Sequence, residues 1–208
     1  MLRSIEYATL LQYSPNGESE VSKLSRRWRD AVKGARIEQI RTRVAGALAD
    51  HATELAPFLH EGASLVPIPR SSPIREGDLW PSLEIANLLA SLNLGTVANC
   101  LTRTVPVRKS AYQSTAQGRP SIEEHYRSFE ATGLVPSNTI TLVDDILTQG
   151  RTAVAAASRV AERFPGATVR LFCMLRAKGL DKEIDEILHL VVDAISFNPK
   201  TGKCSVKA

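Results

Sequence analysis

The stretch Ile140-Thr-Leu-Val-Asp-Asp-Ile-Leu-Thr-Gln-Gly-Arg-Thr152, ITLVDDILTQGRT in one-letter code, decides how the rest of the chain is read. Its opening, Ile140 to Val143, is an apolar run of the kind that forms a strand buried on both faces. The run ends in two adjacent carboxylates, Asp144 and Asp145. A short polar turn, Thr148 to Thr152, then enters AVAAASRVAERF, which predicts a helix. Carboxylates are costly to bury without a paired cation, so these two are expected to face solvent, ligand hydroxyls or a metal. Gly150 permits an unusual backbone angle. The helix after it presents free N–H groups and a partial positive charge at its N-terminus. Acids for sugar hydroxyls beside a nest for a terminal phosphate describe a phosphorylated ribose. The turn is not a Walker loop, since GxxxxGK[ST] is absent, and no GxGxxG dinucleotide fingerprint occurs.

Working outward, strand-like and helix-like segments alternate. VSKLSRRWRDAVKGA sets Val21, Leu24, Trp28 and Ala31/Val32 on one helical face, and RIEQIRTRVAGALADHATEL repeats the pattern with Ile37, Ile40, Val44 and Ala47/Leu48. ASLVPIPR predicts a short buried strand ended by two prolines. PSLEIANLLASLNLG predicts a helix, with Pro81 suited to its first turn and Gly95 to its end. TVANCLTR, TITLVDD, ATVRLFCML and LVVDAISFNP predict further strands, and DKEIDEILH a last helix. Such alternation implies an α/β domain with a mostly parallel sheet flanked by helices. In such sheets a ligand lies at the carboxyl ends of the strands, where Asp144 and Asp145 fall.

The chain has 208 residues, 43% hydrophobic and 23% charged, with a formal net charge of +4, an ordinary globular composition that argues against disorder. It reads as a single domain, with residues 1–60 a helical amino-terminal part contributing to a hood and residues 61–198 the core. No apolar run has transmembrane length and the first residues, MLRSIEYATLLQYSPNGESE, lack a signal-peptide pattern. Cys100, Cys173 and Cys204 are odd in number and form no CxxC pair, as expected of reduced thiols in the cytoplasm. The stretch LTRTVPVRKSAYQSTAQGRP, residues 101–120, carries Arg103, Arg108, Lys109 and Arg119 and no acid. A basic stretch of this kind suits a small polyanion as well as nucleic acid.

TLVDDILTQGRT resembles the ribose-phosphate signature of type I phosphoribosyltransferases: hydrophobic strand, two acids, two residues, then Thr-Thr-Gly-x-Thr. Gln149 stands in place of the second Thr. The likeness extends more loosely over most of the chain and is nearest the ComF-like, amidophosphoribosyltransferase-related branch. LVPIPRS matches its early strand and turn, LTRTVPVRKSAYQ its basic middle loop, and RSFEATG the segment before the signature strand. Two features of that branch are absent: its zinc ribbon, and an Arg-x-x-Asn pattern before Phe129, where Glu123, Glu124 and His125 stand instead.

The resemblance implies the type I phosphoribosyltransferase fold with a small hood, and transfer of a phosphoribosyl group from 5-phosphoribosyl 1-pyrophosphate (PRPP) to a nitrogen nucleophile. Asp144 and Asp145 would hold the ribose hydroxyls and stabilise a cationic sugar. Thr148, Gln149, Gly150, Arg151 and Thr152 would bind the 5-phosphate. Pro69, Arg70 and Ser71 would contact pyrophosphate, often through a strained or cis peptide, together with Arg103. Arg108 and Lys109 would close over it. Magnesium (Mg2+) would arrive mainly on PRPP, with no dedicated protein site. The expected partners are PRPP and an acceptor base, with a homodimer conceivable and neither membrane nor nucleic acid required. A catalytically weak PRPP sensor keeping the same sugar site is the alternative. A nucleic-acid module built on Arg26, Arg27, Arg29, Lys33, Arg36, Arg41 and Arg43 is weaker, because acids are interspersed and no aromatic platform is evident. His125 beside Glu123 and Glu124 could serve as a general base or metal ligand but reads first as part of a solvated loop, and Trp28 and Trp80 read as core or interface.

Overall fold

The computed structural model describes residues 1–108, 120–179 and 182–206. Its strands are β1 (Ser4–Tyr13), β2 (Ser64–Pro67), β3 (Thr96–Val97), β4 (Leu101–Arg103), β5 (Phe129–Ala131), β6 (Thr139–Leu147), β7 (Thr168–Ala177), β8 (Leu188–Asn198) and β9 (Lys203–Val206). Its helices are α1 (Glu20–Lys33), α2 (Arg41–Asp50), α3 (Ala52–Leu55), α4 (Pro81–Ser91), α5 (Ile122–Ser128) and α6 (Arg151–Arg163), with a 3₁₀ turn at Ile37–Ile40. The main sheet has seven strands in the order β3-β2-β6-β7-β1-β8-β9. From β3 to β1 neighbours run parallel, and β8 and β9 continue the sheet antiparallel. An α/β fold with a mostly parallel sheet flanked by helices is thus what the alternation predicted.

The strand of the opening stretch is central and buried on both faces. Leu142 and Val143 are both fully buried, yet they belong to different core clusters. Val143 packs with Leu65, Phe172 and the apolar stripes of α1, α2 and α4. Leu142 packs with Ile140, Leu171 and the alanine-rich face of α6. Small residues let α6 lie close on the sheet, with Ala155, Ala156 and Ala157 fully buried.

Three expectations change. Residues 1–60 are not a purely helical hood. They open with β1, which lies inside the sheet between β7 and β8, and α1 and α2 then bury their apolar stripes on the same core as α4. The segment TVANCLTR is split: β3 extends the main sheet beside β2, whereas β4 pairs antiparallel with β5 in a separate two-stranded sheet. That pair and α5 form a small unit apart from the main sheet, called the hood below. Third, DKEIDEILH forms no helix over its described residues 182–187, which are irregular before β8 begins. No helix among the described residues is long and apolar enough to cross a membrane.

Candidate functional site

The connections around the sheet create a crevice at one place. β2 leads through α4 to β3, with α4 on the Val143 face. The neighbouring strand β6 leads through α6 to β7, with α6 on the opposite face. Adjacent parallel strands whose helices depart to opposite faces leave a gap between their carboxyl ends, and that gap is where ligands bind in open α/β sheets. The β2–β6 pairing ends at Pro67 and Val143, followed by one bond from the Ile68 N–H to the Val143 carbonyl at 2.8 Å. On its other side β6 stays paired with β7 as far as Leu147 and Arg176. Asp144 and Asp145 therefore sit where β6 has lost one neighbour and kept the other.

Each acid folds onto the backbone beside it. Asp144 Oδ1 accepts from the Asp145 N–H at 2.9 Å and from the Ser82 hydroxyl at 3.2 Å, and Asp145 Oδ1 accepts from the Ile146 N–H at 2.8 Å. Ser82 lies in the first turn of α4, so that helix also begins at the crevice. Burial, and then the charge of Asp145, push the Asp144 carboxyl well above the usual carboxylate range. The two acids diverge. Asp144 lines a pocket with the following turn. Asp145 lies near Tyr13, whose phenol is pushed up mainly by burial and in small part by the Asp145 charge.

The turn has the geometry that Gly150 anticipated. Gly150 is left-handed, φ 73° and ψ 1°, at the N-cap of α6, and no side chain caps this helix. The first-turn N–H groups remain for a ligand. The pocket brings together Thr148, Gln149, Gly150, Arg151 and Thr152 with Asp144 and His125. Arg151 donates from Nη1 to the Pro120 carbonyl at 3.2 Å, so its guanidinium is held toward the hood.

On the opposite wall, Pro69, Arg70 and Ser71 form the turn after β2. No cis peptide occurs among the described residues, and none of these three has a positive φ. Arg70 donates to the Leu79 carbonyl at 2.7 Å, and Trp80 Nε1 donates to the Ile68 carbonyl at 3.0 Å. Arg103 is the largest departure from expectation. It is buried, with Nε donating to the Arg70 carbonyl, Nη1 donating to the Ser128 hydroxyl, and its guanidinium 4.0 Å from the Phe129 ring centroid. Burial pushes it down to about 10, with the Asp144 charge opposing. Arg103 thus ties the hood to the turn that it was expected to assist. The Val107 N–H adds a second tie, to the Ser71 carbonyl at 2.7 Å. Arg108 emerges exposed beside Ser71, 3.6 Å from Glu124. Lys109 lies outside the described residues.

His125 does not lie in the solvated loop expected for it. It is buried, with Nε2 3.4 Å from the Thr152 hydroxyl and Nδ1 without a partner. Burial, and then the charge of Arg103, push it down to about 4. The signal was present: Ser121 and Glu124 form a capping box that starts α5, and helical spacing from Ile122 puts His125 and Ser128 on its buried face.

Among the described residues no group of three or more His, Cys, Asp or Glu side chains is arranged to hold a metal ion. Several arginines near the amino terminus are engaged locally: Arg26 on the Ser14 and Gly17 carbonyls, Arg29 on Asp30, Arg41 on Glu38, and Arg43 over the Trp28 ring. No family model, no curated protein and no solved structure matches the chain. The site rests on its own geometry.

Proposed function

We propose that the chain is a phosphoribosyltransferase that moves the 5-phosphoribosyl group of PRPP to a nitrogen nucleophile and releases pyrophosphate. One observation carries the reading. An acid at the carboxyl end of β6 and the uncapped N-terminus of α6 line the same pocket, at the point where the sheet connections diverge. That spacing of acid and N–H nest suits ribose hydroxyls at one end and a phosphate monoester at the other.

The chemistry asks for little covalent help. The bond from the anomeric carbon to pyrophosphate breaks, positive charge develops on the sugar ring, and the nucleophile's lone pair forms the new bond. Asp144, held above its usual range by burial, is a carboxyl whose charge the free site does not satisfy. A cationic sugar satisfies it, so the interaction strengthens as the transition state forms. Magnesium, if it comes bound to the phosphates, needs few protein oxygens, and Asp144 is the carboxyl that lines the pocket. Arg108 and Lys109 would meet the leaving pyrophosphate.

A PRPP sensor is the second reading, favoured by one observation: Arg103 is committed to Arg70 and Ser128 and is not free for a ligand. Calorimetry with PRPP and magnesium, followed by a pyrophosphate-release screen across nucleobases, tests both. Binding with release supports the transferase, binding without release supports the sensor, and no binding removes both.

A further inference from the structure

We infer that His125 is part of the phosphate cradle itself, its Nε2 fixing the Thr152 hydroxyl and its unpartnered Nδ1 taking a phosphate oxygen of the ligand. This inference rests on the proposed 5-phosphate site. The reasons are geometric. His125 is only 4% exposed, yet it lines the same pocket as Thr148–Thr152 and Asp144. Its two nitrogens are unequally served. Nε2 meets Thr152 Oγ1 at 3.4 Å, while Nδ1 is buried with no partner. An imidazole nitrogen left without a partner in the interior loses a hydrogen bond that water would have given it, and a ligand oxygen held at the neighbouring uncapped N-terminus of α6 would restore it.

The ring's state fits this role. A neutral imidazole carries one N–H and one acceptor nitrogen. If Nε2 accepts the Thr152 hydroxyl, the proton sits on Nδ1, which then has an N–H to donate. A dianionic phosphate monoester is acceptor-only, so it complements that N–H and the backbone N–H groups of the α6 first turn. The alternative tautomer would set a lone pair against the phosphate. The cradle therefore selects an acceptor anion, as the 5-phosphate of a ribose is, over a neutral sugar of the same shape.

Three substitutions separate the two nitrogens. Asn places its amide where Nδ1 lies, Gln where Nε2 lies, and Phe keeps only the ring shape. Affinity for ribose 5-phosphate, with free ribose as the control ligand, is measured by calorimetry on variants whose thermal unfolding matches wild type. His125→Phe is expected to weaken ribose 5-phosphate binding about tenfold or more, the size expected for losing a hydrogen bond to a charged group. His125→Asn should restore most of it and His125→Gln little. Rescue by Gln and not Asn would reduce His125 to a support for Thr152 and overturn the contact. Wild-type affinity in His125→Phe would also overturn it.

If no variant folds, nitrogen-detected NMR of wild-type His125 decides. Ribose 5-phosphate should drive the ring to a single tautomer with the proton on Nδ1, and ribose should not. An unchanged ring on ligand binding would sink the inference. Failure of wild type to bind ribose 5-phosphate at all would instead remove the phosphate site on which it rests.

Discussion

Gly150 holds the turn into α6 in place through two constraints of one residue. Its φ of 73° is a conformation that side chains rarely adopt, and a Cβ there would lie 2.8 Å from Ile195 Cγ2. Gly150→Ala should therefore destabilise the fold by about 1–3 kcal/mol, read as a lower urea midpoint. Adding Ile195→Ala should relieve the clash but not the backbone strain, so at most partial recovery is expected. Full stability in Gly150→Ala would contradict the left-handed turn. Asp144 carries the opposite sign. Its folded-state value is raised by burial and by Asp145, so its contribution to stability is fully present below the unfolded value of about pH 4 and is lost as pH rises through the folded value. Asp144→Asn should then be more stable than wild type at pH 7, with the difference vanishing below about pH 4. Turnover of PRPP should meanwhile fall about 10²-fold, since a fixed charge aimed at the transition state is gone. Normal turnover in this variant would take Asp144 out of the site.

At the scale of elements, what the sequence revealed depended on how directly pattern and contact correspond. The turn from β6 into α6 was legible because an apolar run, two acids and a glycine each state their own requirement. β1 was not, because its buried run is broken by Thr9 and Gln12, polar residues that are nonetheless 0% and 5% exposed. The segment before β8 misled for a different reason. Ile184 and Ile187 are spaced like one helical face, yet each dips separately into the core from an irregular strap. What fixes that strap is long-range and invisible to periodicity. The Glu183 carboxylate accepts from the Ser22 hydroxyl at 2.6 Å, from the Ser19 N–H at 3.1 Å and from the Glu18 N–H, so it braces the turn that leads into α1 from more than 160 residues away. Gly17 makes room, since a Cβ there would lie 2.6 Å from the same carboxylate. The Ser22 hydroxyl first, and then Ser19 and the Glu18 N–H, hold Glu183 down at about 2. A depressed value means that this contribution is present above the unfolded value of about 4.3 and is lost as pH falls toward the folded one. Glu183→Gln should therefore be less stable than wild type at pH 7, and the gap should close between about pH 4.5 and pH 2. A constant gap across that range, measured by thermal unfolding, would show that the strap is held by its isoleucines alone.

At the scale of the whole molecule, the sheet and the hood divide the labour. The carboxyl ends of β2 and β6 give two rigid walls, while β4, β5 and α5 bind to the turn after β2 through the Arg103–Arg70 and Val107–Ser71 bonds. Among the described residues, the ion-pair partner of Arg108 is Glu124 at 3.6 Å, with side chains 65% and 50% exposed. A surface pair of this kind contributes about 0–1 kcal/mol, so Arg108 can leave Glu124 for a pyrophosphate at little expense. A closing cation matters differently to an enzyme and to a sensor. Negative charge on the pyrophosphate grows only as its bond to the sugar breaks, so a cation that meets it late stabilises the transition state more than the bound substrate. Ground-state binding can be supplied by Asp144 and the α6 nest without it. Replacing Arg108 and Lys109 by Ala should therefore lower the turnover rate about 10²-fold or more while PRPP affinity changes far less. Rate and affinity falling together would mean that the loop only binds. Tight PRPP binding by wild type with no pyrophosphate released to any acceptor would make the crevice a sensor's, and the hood would then serve to hold PRPP in place with no bond to break.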